Sequence, residues 1–252
     1  MEQPDVTEVE QSNCSPDHAF SGVPWSKRDI FWGMVLGVLV LLGLLMVMLL
    51  GLQLFHLATG IESWPGLLGT VVLVAELGFL LPVWALGVHK YRLPWSSVGF
   101  RRFELAHGLG LGCLFLLVGF GFNLVWSVFL AVFGLRTQPD ILPVFGGGIA
   151  GLLLALLAGG LVAPIAEEAF FRGYVFAGLR QHFGLLPAIV LSSGTFALVH
   201  ILPTSWPPIF VLGVLFALLY EQTGSIWPAV VVHGIINTLA FLASYLLQIL
   251  GG

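Results

Sequence analysis

Apolar runs too long for the core of a soluble domain recur along this chain. The first, "IFWGMVLGVLVLLGLLMVMLLGLQLF" from Ile30 to Phe55, holds no charged residue. A run beyond about 18 residues can cross the hydrocarbon layer as a helix, because all its backbone hydrogen bonds close within the segment. Membrane β-strands would alternate apolar and polar residues, and these runs do not. Hydrophobic residues make up 58% of the chain and charged residues 9%, with a mean hydropathy of +1.01. A soluble fold of this length needs far more polar surface. The expected class is an all-α polytopic membrane helix bundle of roughly seven to eight transmembrane helices.

Breaks in the apolar pattern place the spans near 30–56, 65–88, 106–133, 141–161, 184–201, 207–221 and 226–249. The stretch 162–183 either extends the fourth span or forms a separate helix after Pro164. Residues 1–29 read as a flexible polar tail, 30–140 as N-terminal scaffold helices, and 141–252 as a C-terminal transmembrane core. The first span is too long for the apolar core of a signal peptide. Cys14 and Cys113 lie far apart, in the tail and in a span, which points to neither a disulfide nor a thiolate metal site. A net charge of -4 carries no nucleic-acid footprint. Lys27, Arg28, Lys90, Arg92, Arg101 and Arg102 put the N-terminus and the 89–105 loop in the cytoplasm. Compactness and the lack of eukaryotic sorting signals point to a bacterial plasma membrane.

Against this background "VAPIAEEAFFR" (Val162 to Arg172) stands out. An ionisable side chain inside a span costs at least about 2.5 kcal/mol on insertion, so each needs a reason. The candidates are Glu76, Glu167, Glu168, Arg172, His200 and His233, with Asn237 as a neutral companion. Glu168 and Arg172 are four apart and share a helix face, as do Phe196 and His200, and His233 and Asn237. Any one of them has a bland reading as a helix clamp or an interhelical hydrogen bond. Together they are too much polarity to carry without use. Glu76 stands alone and reads as a packing or snorkelling residue, and His56, His89, His107 and His182 lie at wet span ends.

Peptide hydrolysis within a membrane needs a water, a base and donors for the developing oxyanion. An ionised glutamate beside a histidine can activate the water. A second histidine with an asparagine amide can supply the donors. A non-catalytic scaffold and a proton-coupled transporter are the rivals. The transporter is disfavoured because the polar residues cluster in the last third and no inverted repeat is visible.

"EEAFFR", "FALVH" and "HGIIN" resemble the E-E-x-x-x-R, F-x-x-x-H and H-x-x-x-N/B motifs of type II CAAX prenyl endopeptidases, in the CPBP/Abi family. "TGSIWPAVVVHGIIN" is similar to that family's approach to its last motif. The likeness covers about residues 145–248 and implies an intramembrane endopeptidase. It implies Glu167 as the base acting with His200, and His233 and Asn237 on the oxyanion side. Glu168, Arg172 and Phe196 would be supporting neighbours. It further implies a membrane-bound peptide or protein substrate, prenylated or not, met within the lipid bilayer. A non-catalytic bacteriocin-immunity protein is the alternative within the same group. No cofactor is expected. Were zinc bound instead, Glu167, His200 and His233 would form its ligand set with an open water position.

Overall fold

A computed structural model describes residues 23–59, 66–138, 140–200 and 202–251. Among these residues the structure is helical throughout, with no strand. The helices are α1 (Lys27–Thr59), α2 (Leu67–His89), α3 (Leu105–Val132), α4 (Gly148–Phe183), α5 (Leu185–Leu198), α6 (Trp206–Thr223) and α7 (Trp227–Gly251). Six are long and apolar enough to cross a membrane, and α5 is shorter. The bundle expected from the sequence is therefore observed.

Three expectations change in detail. The stretch 162–183 does not form a separate helix. It continues the fourth span, which starts at Gly148 rather than near 141 and runs unbroken to Phe183. The fifth span shrinks to the 14 residues of α5, roughly 21 Å of helix against a hydrocarbon layer of about 30 Å. His200 follows just beyond its C-terminal end and is partly buried. Residues 23–29 are not a flexible tail. Trp25 is fully buried and donates from Nε1 to the Tyr174 carbonyl at 3.1 Å. Asp29 accepts from Lys90, Tyr91 and Ser26, which ties the start of α1 to the end of α2. The rest of the tail, with Cys14, lies outside the described residues. Cys113 is exposed and unpaired.

The second half of α4 is the axis of the molecule. From Ala166 to Leu179 every residue is buried, whichever way it points, the pattern of a helix enclosed by others. By contrast α1 and α3 display rows of large apolar side chains outward, as lipid-facing helices do. Lipid is as apolar as leucine, so helices associate here by close packing. Small residues make that possible. Gly33 and Gly37 of α1 receive the rings of Tyr174 and Phe170, and Gly112 of α3 receives Val232. Phe79 of α2 packs on Phe170 and Phe171 at 5.3 and 5.6 Å between ring centres.

A side chain at Gly33 would start 2.7 Å from the Tyr174 hydroxyl oxygen, whereas Gly43 has open space around it. Gly33→Leu is expected to destabilise the detergent-solubilised protein by about 1–3 kcal/mol, the usual cost of overpacking. Gly43→Leu should leave it unchanged, and thermal unfolding of the two variants compared with wild type checks both.

Candidate active site

The backbone that carries the paired glutamates is irregular. Pro164 lies inside α4, has no N–H to give, and crowds the carbonyls of the preceding turn. The helix responds by widening into a π segment over Leu156–Val162, where Ala163 N–H bonds back five residues to the Ala158 carbonyl. In that register the next carbonyl, Gly159, faces Pro164 and finds no donor. Asn237 of α7 fills the vacancy, donating from Nδ2 to Gly159 O at 2.8 Å. Gly234 lets α7 come this close, since a Cβ there would sit 2.8 Å from the Gly160 carbonyl. A second π segment, Ala169–Phe176, follows the glutamates. Such widened turns inside helices are frequent at functional sites.

Between the two π segments Glu168 and Arg172 are fully buried and pair at 3.1 Å. The spacing of four places them on one face, as the sequence indicated. The guanidinium lies 4.3 Å from the ring centre of Phe196 and 5.1 Å from that of Phe216, and its Nη2 reaches the Gly213 carbonyl at 3.4 Å. Aromatic faces thus stand in for water around much of the cation. On its other side Glu168 meets Nδ1 of His233 at 3.0 Å. A carboxylate only accepts, so Nδ1 carries the proton there. His233 also stacks on Phe216, with 5.2 Å between ring centres.

Glu167 points elsewhere. Its Oε2 is buried without a hydrogen-bond partner, and the nearest imidazole nitrogen, His233 Nε2, is 3.9 Å from it. His200 stands across the Phe196 ring from His233, with both imidazoles edge-on to that ring at 5.1 and 6.0 Å. The Phe196 carbonyl, 2.8 Å from Nδ1 of His200, can only accept, so Nε2 of His200 is left with a free lone pair. Phe196 therefore touches Arg172 and both histidines. The spacing F-x-x-x-H hinted at His200 but not at the other two contacts.

Glu76 does not stand alone, because its buried carboxyl neighbours that of Glu167. Sequence reasoning missed this contact, which depends on the register between α2 and α4. The signal available was the cost of the lone acid itself.

Among the described residues no group of three or more His, Cys, Asp or Glu side chains is arranged to hold a metal ion. Nδ1 of His233 and Nδ1 of His200 both face oxygen acceptors, which leaves Nε2 of each ring outside those contacts.

Residues 149–239 match the family model described as type II CAAX prenyl endopeptidase Rce1-like. The match covers the whole of the arrangement above except Glu76. Among curated proteins the chain is similar to one named "Putative membrane peptidase YdiL" from Bacillus subtilis (strain 168), with 28% identity over 135 residues. That alignment takes in 52% of this chain and 55% of the relative, so the chain spans about half the length of the curated protein it matches. No solved structure matches.

Asn237→Leu leaves the Gly159 carbonyl buried without a donor and is expected to cost about 1–3 kcal/mol of stability. Adding Pro164→Ala, which restores an N–H at that turn, should recover part of the loss. A double-mutant cycle on thermal unfolding measures the coupling, and additive effects would contradict the assignment.

Proposed function

We propose that this chain, whose residues 149–239 match the type II CAAX prenyl endopeptidase Rce1-like family model, is an intramembrane endopeptidase of the CPBP/Abi family using Glu167 as its base. One observation carries the reading. Of two adjacent buried glutamates, Glu168 is paired with Arg172 at 3.1 Å and His233 at 3.0 Å, while the basic nitrogen nearest Glu167, His233 Nε2, stays 3.9 Å away. Only Glu167 is free to take a proton from water.

In the proposed reaction a water lies between Glu167 and Nε2 of His200. Glu167 accepts one of its protons as the oxygen adds to the peptide carbonyl carbon. The carbonyl oxygen gains the negative charge, and the remaining N–H of Asn237 with His233 are the donors available to it. For His233 this requires the imidazolium, since its Nδ1 proton is committed to Glu168. The tetrahedral species then collapses, the C–N bond breaks, and Glu167 returns its proton to the leaving amine. Arg172 and Phe196 hold the arrangement without touching substrate. The chemistry is proposed to proceed without metal, a reading supported by the lack of convergent ligands among the described residues.

The substrate is proposed to be a membrane-associated peptide, met laterally by an enzyme whose N-terminus and 89–105 loop face the cytoplasm. The CAAX-type prenylated peptide is the first class to try. With purified protein in detergent, wild type should cleave a fluorogenic farnesylated CAAX peptide. Glu167→Ala and His200→Ala should lose at least about a hundredfold in kcat, as expected when a general base or its partner is removed, and a strong chelator should leave wild type active. Chelator inhibition reversed by zinc would overturn the metal-free mechanism. Equal cleavage of the unlipidated peptide would remove the prenyl requirement, and undiminished cleavage by Glu167→Ala would remove the proposed base.

A further inference from the structure

Among the candidate site residues His200 alone lies outside a helix. It comes two positions after Leu198, where α5 ends, so the helix no longer sets its direction. Three hydrogen bonds do so instead. Its N–H donates to the Ala197 carbonyl at 3.1 Å, and its Nδ1 donates to the Phe196 carbonyl at 2.8 Å. Its own carbonyl accepts from Nε1 of Trp206 at 2.6 Å. The first two are made to the turn that His200 has just left. The third comes from the first residue of α6, and of the three it alone reaches another helix. A carbonyl released from its helix inside an apolar bundle needs a donor, and an indole N–H can only donate.

The far end of the same connection is fastened in the same way. Trp126 of α3 donates from Nε1 to the Thr204 carbonyl at 2.7 Å. Thr204 Oγ1 donates to the Thr137 carbonyl at 3.0 Å, and Thr137 is held back to α3, its Oγ1 2.8 Å from Oγ of Ser127. Two indoles, from α3 and α6, thus take up carbonyls at the start and at the end of the link between α5 and α6. A link that only covered the bundle could shift by an ångström at little cost. For His200 such a shift matters, because a water between its Nε2 and Glu167 has to lie within hydrogen-bond reach of both. We propose that Trp206 is a positioning residue for His200, with Trp126 as its counterpart at Thr204: the two indole N–H groups hold the link so that Nε2 of His200 points at the attacking water. This rests on the reading of His200 as the partner of Glu167. Neither tryptophan touches substrate or moves a proton. Trp126 lies outside residues 149–239, so α3, which otherwise displays apolar side chains to lipid, has a part in the working site.

Two measurements separate this inference from its premise. The first needs no substrate. NMR spectra of the purified full chain, isotopically labelled at the tryptophan and histidine ring nitrogens, should contain two indole N–H signals that disappear singly in Trp206→Phe and Trp126→Phe. Both should exchange with deuterium oxide far more slowly than that of the exposed Trp95. The His200 ring should show one environment in wild type and several in Trp206→Phe. The second measurement is kinetic. Trp206→Phe keeps an aromatic ring and loses the donor, and should lower kcat about ten- to hundredfold with KM little changed. Trp126→Phe, four residues from His200 at its point of contact, should show a smaller loss of the same kind, and carries the test should Trp206→Phe fail to fold. Wild-type kcat in folded Trp206→Phe overturns the inference and leaves Trp206 a loop anchor. A Trp206 indole N–H that exchanges as fast as that of Trp95 does the same, as does a loss carried by KM alone. Slow indole exchange and a His200 ring that responds to Trp206→Phe, in a wild-type protein that cleaves no peptide, would retain the fastening and sink the proposed function instead.

Discussion

The arrangement of the last four helices follows from where Arg172 is put. A guanidinium with no exposure in an apolar bundle is tolerable only if its charge is matched and its faces are covered. Glu168 supplies the match at 3.1 Å, the rings of Phe196 and Phe216 cover the faces, and Gly213 offers a carbonyl. These partners come from α4, α5 and α6, so the cation draws three helices onto one point. Gly213 has to be small for this, since a Cβ there would sit 2.9 Å from that of Ser193. A buried ion pair of this kind adds little net stability over an apolar substitute. Its use here is registry. Once Arg172 is seated, Glu168 has one direction left to face, and α7 brings His233 to it.

Much of this could be read along the chain, because it lies within single helices. Glu168 with Arg172, Phe196 with His200 and His233 with Asn237 are one turn apart, and a helical period places each pair on one face before any packing is known. Length and hydropathy likewise sufficed for the number and kind of spans. The contacts between helices were not legible. Asn237 bonds to Gly159 because Pro164 spoils the turn before it, and nothing in "HGIIN" announces that partner. The length of α5 was misjudged because "LPAIVLSSGTFALVHIL" stays apolar past the point where the backbone turns. Glu76 shows the limit most plainly. Its cost was visible in the sequence and its partner was not, since a one-residue slip of α2 would aim it at lipid.

Why two adjacent glutamates rather than one? Successive residues on a helix point roughly 100° apart, so neighbours meet different environments at the same depth in the membrane. Glu168 looks toward α5, α6 and α7, where it neutralises Arg172 and orients His233. Glu167 looks toward α2 and the edge of His233, where no cation claims it at hydrogen-bonding distance. A single carboxylate is poorly placed to serve both ends, because one held by an arginine and a histidine is fixed in direction by them. Placing the two side by side lets one acid bind the charge that the other needs close at hand. The π segments on either side, Leu156–Val162 and Ala169–Phe176, shift the helical phase before and after this turn. They allow it to present both carboxyl groups inward while α4 continues straight through the bundle.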